Sequence, residues 1–122
     1  MKANELRKGI FIQDIDTKRK GYITKINGNK LTVKLENSTL IQHFEEFEPI
    51  ELTEKILFKL NKNKVLKEFD ELDINKVVFE FRNNKLYFTA GGGATLSDPI
   101  EYLHELQNFV FLFSKKELEI NL

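Results

Sequence analysis

The chain has no cysteine, so disulfides, thiolate metal sites and thiol catalysis are all excluded together. It also has no excess of either charge. Lysine plus arginine number 19 and aspartate plus glutamate number 19, so no global field draws it toward nucleic acid or membrane. Long hydrophobic runs are missing: the opening Met1 to Gly9 holds no apolar core of signal-peptide length, and no stretch reaches membrane-spanning length. The expected setting is therefore cytoplasmic, with no membrane partner. Histidine is scarce, at two residues, and no internal repeat is visible. Against these absences stand 41% apolar residues and 11 phenylalanines in 122 positions, enough to bury a core and to exclude wholesale disorder.

The organising stretch is Ser97 to Ser114. Asp98 as N-cap, Pro99 at the first helical position and Glu101 completing a capping box predict a helix over 98–113. Ile100, Leu103, Leu106 with Gln107, Val110 and Phe113 recur at helical spacing as its inward face. A hairpin over Lys76 to Phe88 turning at Asn83-Asn84 pairs Phe81 with Leu86 and Phe79 with Phe88. Its apolar face is the expected platform for that helix, with Glu80, Arg82, Lys85 and Tyr87 on the other side. Thr53 is the expected cap of a short linking helix, Glu54 to Leu60, with Ile56, Leu57 and Leu60 inward. Val65 to Leu72 reads equally as strand or helical turn, and Glu117 to Leu122 as a short edge strand.

The first half reads as short strands. After a lead-in over residues 3–8 ended by Gly9, Ile10 to Ile15 is a strand and Lys18-Arg19-Lys20-Gly21 a basic turn. Tyr22 to Asn27 and Lys30 to Leu35 form a hairpin around Gly28-Asn29. That loop sets Ile26 opposite Leu31, Thr24 opposite Val33 and Tyr22 opposite Leu35, with Lys25, Thr32 and Lys34 on the reverse face. Leu40 to Phe44 is a further strand, and Phe47 to Leu52 is extended through Pro49. The expected class is α+β: an N-terminal SH3-like β-barrel or curled antiparallel sheet, a short linking helix, and a C-terminal hairpin packed on one long helix. Residues 1–122 form one domain with a β-rich lobe over 1–52 and an α+β lobe over 53–122.

Few constellations carry chemistry. Ala90-Gly91-Gly92-Gly93-Ala94 runs toward a helix start, where backbone N–H groups can hold an anion, but no Lys-Ser/Thr follows and Asp98 would repel one. His104 and Glu101, three apart, lack the second histidine of a metal site and fit a boundary histidine hydrogen-bonded to a neighbour. His43 has no partner placed beside it. No catalytic residue, metal or cofactor is therefore expected. Lys18, Arg19, Lys20, Tyr22, Lys25, Lys30 and Lys34 form a nucleic-acid candidate on the first hairpin, opposed by the nearby acidic run Glu45 to Glu48. Phe44, Phe47, Phe58, Phe69 and Tyr87 are more aromatic bulk than one small core needs. Of these, Phe44, Phe47, Phe58 and Tyr87 are the candidate protein interface, a homodimer included.

Three segments together resemble a known family. The opening M-K-A-N-E-L-R-K-G, the central P-I-E-L-T-E-K-I-L and the closing I-E-Y-L-H-E-L-Q-N-F-V-F-L-F-S-K-K-E-L-E-I are similar to small, largely uncharacterised proteins of Bacteroidota phages, prophages and mobile elements. Lys8, Ile10 and Ser114-Lys115-Lys116 depart from that family's pattern. The resemblance carries no catalytic residue over. It implies a small accessory protein acting stoichiometrically on a host or defence protein, for example an anti-CRISPR inhibitor of an RNA-guided nuclease or its RNA complex.

Overall fold

In the first fifty residues, apolar and polar side chains alternate along short segments separated by turns, and each segment becomes a strand. The computed structural model describes residues 1–89 and 97–122. The fold is α+β, and the chain divides into two units, Met1–Ile50 and Glu51–Leu122.

The first unit carries β1 (Phe11–Asp14), β2 (Lys20–Asn27), β3 (Lys30–Lys34), β4 (Thr39–His43) and β5 (Phe47–Pro49), in the antiparallel order β4-β3-β2-β1-β5. Two 3-10 turns flank them, Ala3–Glu5 before β1 and Phe44–Glu46 between β4 and β5. The sheet curls without closing into a barrel. Ile10, Ile12, Ile23, Leu31, Val33, Leu35 and Phe47 fill its concave side. Burying each of the larger of these contributes about 1.5–3 kcal/mol.

The first hairpin follows the expected register only near its turn. Asn27 pairs with Lys30, Ile26 with Leu31 and Lys25 with Thr32, with Gly28 at φ +59 in the loop. The register then shifts between Ile23 and Lys25, so that Ile23, not Thr24, faces Val33, and Tyr22 faces Lys34, not Leu35. A β-bulge of this kind turns every preceding side chain to the opposite face. Ile23 enters the core and Tyr22 leaves it. Gly21 then points inward, where an added Cβ would collide with the Lys34 carbonyl and come within 2.8 Å of Val33 Cγ1 and 2.9 Å of Leu35 Cδ2.

Asp14 ties the curl together. One carboxylate oxygen accepts from the Thr17 backbone N–H (2.9 Å) and the Thr17 hydroxyl (2.7 Å), fixing the β1–β2 turn. The other accepts from Gln42 Nε2 at 2.7 Å, reaching from β4 across the concave side to β1. These bonds, the Thr17 hydroxyl first and Gln42 next, hold the Asp14 carboxyl below the usual carboxylate range.

The second unit contains α1 (Glu54–Leu60), β6 (Glu71–Ile74), β7 (Val77–Arg82), β8 (Lys85–Phe88) and α2 (Leu103–Ser114), the sheet running β6-β7-β8. Thr53 Oγ1 accepts from the Ile56 N–H at 3.3 Å as the expected cap, and Ile56 and Leu57 are buried. Asn75-Lys76 and Asn83-Asn84 all take positive φ, the backbone a two-residue hairpin turn with right-handed twist requires. Phe79 pairs with Phe88 and Phe81 with Leu86, as the alternation predicts. Phe88 stacks on Phe109 and Phe113 of α2 at 5.3 and 4.6 Å between centroids, so the helix does use the hairpin as its platform.

The start of α2 differs from the expectation. The helix begins at Leu103, and the carboxylate that caps it belongs to Glu105, which accepts from the N–H groups of Glu101 (3.1 Å) and Tyr102 (3.0 Å). Residues around 100–102 are spent on extended pairing. Ile100 bridges Leu86 and donates to its carbonyl at 2.7 Å, and Tyr102 bridges Glu51. Phe113, expected inward, is 54% exposed, while His104 is buried. Val65 to Phe69 lies outside helix and strand, and β6 begins only at Glu71; Glu117 to Leu122 forms no strand, although Leu118 is buried.

Two outcomes follow. Gly21→Ala is expected to destabilise the protein by about 1–3 kcal/mol in a urea titration, because the obstructing Lys34 oxygen is backbone and cannot rotate away. Asp14→Ala is expected to lower stability at neutral pH by about 1–3 kcal/mol through lost charge-assisted hydrogen bonds. Because the folded state binds the Asp14 proton more weakly than the unfolded chain, its contribution is complete above the ordinary carboxylate value and fades as pH falls through the depressed folded one. Melting curves of wild type and variant should therefore converge in acid; a constant gap would refute the assignment.

Candidate functional site

Cross-strand partners in a sheet share a face, so the pairings of the first unit define what its convex back presents. One row across the strands holds Phe11, Tyr22, Lys34 and Thr39. The next, toward the hairpin tip, holds Lys25, Thr32 and Ile41, and the one beyond holds Asn27, Lys30 and His43. On the other side of Tyr22 lies a row of Lys20, Gln13 and Glu48. Five of the seven nucleic-acid candidates, Lys20, Tyr22, Lys25, Lys30 and Lys34, thus stand on one surface. The bulge is what brings Tyr22 to the lysines.

The four lysines are exposed, and none of them forms an ion pair among the described residues. Tyr22 is 36% exposed, and Phe11 meets it edge to face with centroids 5.7 Å apart, which braces one side of the ring. Ile41 is 69% exposed in the same field. The sequence reading passed over Phe11 and Ile41. Their alternation with buried Ile12 and half-buried Leu40 and Gln42 was the available signal.

Lys18 and Arg19 do not join this group. Lys18 Nζ is paired with Glu48 Oε1, which also accepts from Gln13 Nε2 at 2.7 Å. The Lys18 bond first, and then Gln13, lowers the Glu48 carboxyl from its usual range. Arg19 Nε donates to Thr17 Oγ1 at 3.1 Å within the turn. The basic turn is therefore largely committed to its own architecture, and Glu48, the acid on this face, is already neutralised.

The aromatic candidates are dispersed. Phe47 is 4% exposed in the core of the first unit, which corrects its assignment to a partner surface. Phe44 is half-buried against that core and stacks on His43 at 5.0 Å. In the second unit Phe58 is exposed on α1, and Tyr87 is half-buried opposite Glu80, whose carboxylate accepts from Arg82 at 2.7 Å. Phe69 is 67% exposed with the Arg82 guanidinium 5.7 Å from its ring centroid. Phe111, Leu112 and Phe113, not singled out in the sequence, are exposed at 39%, 59% and 54% in the last turn of α2.

The histidines are not brought into an acid–base arrangement. His43 Nδ1 accepts from the Glu45 N–H at 3.2 Å as the cap of a 3-10 turn. His104 is 2% exposed beside the Tyr102 ring, a core residue and not the boundary one expected. Glu101 precedes the helix, so the helical spacing that would pair it with His104 does not apply; its carboxylate lies 4.0 Å from Lys85 at the surface. Among the described residues no three histidine or carboxylate side chains converge as metal ligands, and no helix is long and apolar enough to cross a membrane. The glycine-rich candidate, Ala90 to Ala94, lies outside the described residues. No protein-family model, curated protein or solved structure matches the chain.

Proposed function

We propose that this is a non-catalytic binding protein that holds nucleic acid on the convex face of its N-terminal sheet. The observation that carries the reading is the gathering of Lys20, Lys25, Lys30 and Lys34, exposed and without an ion pair among the described residues, around the braced ring of Tyr22. Unpaired lysines on a neutral protein make a local cationic field, and phosphate contacts release counterions. Four such contacts to a single strand correspond to a slope of about −3 in log affinity against log salt.

A second reading rests on the apolar last turn of α2, together with the resemblance to mobile-element proteins. It makes the chain a stoichiometric inhibitor of a host defence protein, such as an RNA-guided nuclease, docked through Phe111, Leu112 and Phe113. Charge reversal separates the two. Lys25→Glu, Lys30→Glu and Lys34→Glu together should abolish binding of labelled oligonucleotides in fluorescence anisotropy. An equal reversal on the other unit, at Lys55, Lys59 and Lys62, should leave binding in place. Equal losses from both triple variants would overturn the sheet-face reading. Capture of a discrete host protein, lost in Leu112→Glu with Phe113→Glu and untouched by the lysine changes, would establish the second reading instead.

A further inference from the structure

The sheet face also bears on which form of nucleic acid it takes, an inference that rests on the reading just given. Its curvature is the first argument. The core side chains Ile12, Ile23, Leu31 and Val33 occupy the concave side, so the lysines and Tyr22 stand on the convex back. A duplex is a stiff rod that bends little over the length of such a site. A rod laid on a convex surface touches it along a line, whereas a flexible single strand can follow the curve. The second argument is the ring. Tyr22 has one flank set by the edge-to-face contact with Phe11 and keeps 36% of its surface open. A base can stack on that ring only if its own face is bare, and in a duplex both faces are covered by neighbouring pairs.

The third argument is the spacing. Successive same-face rows in a strand lie about 7 Å apart. Lys34 shares Tyr22's row, Lys25 stands one row toward the tip, Lys30 one row further, and Lys20 one row the other way. The cations thus flank the ring on both sides, suited to phosphates on either side of a stacked base. The charge and the platform are complementary to one occupant.

We infer that this face binds single-stranded nucleic acid, with a base stacked on Tyr22 and the flanking phosphates on Lys20, Lys25, Lys30 and Lys34. RNA and DNA share this chemistry. The test uses the intact chain and labelled oligonucleotides of roughly twelve units, within the site sizes of small β-folds: oligo-dT, oligo-rU and a DNA duplex of equal length.

Both single strands are expected to bind at least about tenfold more tightly than the duplex, and the tighter of the two names the natural source. Tyr22→Ala should weaken single-strand binding by about 5- to 150-fold with duplex affinity unmoved, and Tyr22→Phe should restore it. With no tryptophan and only three tyrosines in the chain, quenching of tyrosine emission by oligo-dT gives a second readout, which should shrink in Tyr22→Phe although binding persists. Duplex binding as tight as single-strand binding, or an indifferent Tyr22→Ala, would overturn this inference while leaving nucleic-acid binding standing. Failure of all three oligonucleotides to bind would overturn both.

Discussion

One extra residue in β2 decides which side of the first unit faces water. Between Ile23 and Lys25 the ladder with β3 slips by a position, and a slip of one residue exchanges inside for outside along the rest of the strand. Ile23 then fills the core beside Val33, and Gly21 passes under the Lys34 carbonyl where no side chain fits. Tyr22 and Lys20 turn outward. Without that slip the ring and Lys20 would lie on the core side, while Lys25, Lys30 and Lys34 would keep their face. Packing and surface chemistry in this unit are therefore one constraint seen from two sides.

Features that depend on neighbours in sequence were legible in it. Thr53 caps α1 because a hydroxyl three residues from an N–H needs nothing else. The Phe79–Phe88 register follows from two asparagines able to take positive φ and from strict alternation on both sides. Features set by distant strands were not legible. Asp98, Pro99 and Glu101 form a credible helix start, but Leu86 and Glu51 pair with the segment that follows, and a backbone already extended cannot coil. The bulge was hidden because Tyr22, Thr24 and Ile26 alternate well enough to suggest an unbroken strand. Phe47 looked like surplus aromatic bulk because its three-residue strand gives no alternation to read; pairing with Asp14 turns it into the core.

Electrostatics in this protein is a matter of placement and not of sum. The composition is neutral, yet the first sheet carries four uncommitted cations on one side. The carboxylates of β1 and β5 are occupied elsewhere. Asp14 faces inward and holds a turn and a seam, while Glu48 is shared by Lys18 and Gln13. Of the basic turn that stands out in the sequence, only Lys20 remains available on that face, because the other two positions serve the fold. The candidate interface is smaller than the run of basic residues suggested, and better defined.

The order of the five strands also sets the order in which they can form. From β1 to β4 each strand pairs with the one that follows it, so these contacts close short loops at small entropic expense. Only β5 departs from this pattern, returning to β1 from about thirty-five residues away. Until β5 arrives, β1 is an open edge with unpaired N–H and C=O groups, the part of a half-made sheet most prone to pair with a stranger. As β5 is the last strand of its unit, a growing chain must carry that edge until the final residues emerge. Three residues, Phe47 to Pro49, cover that edge and put in its place a shorter one that ends in proline, a poorer template for a stranger.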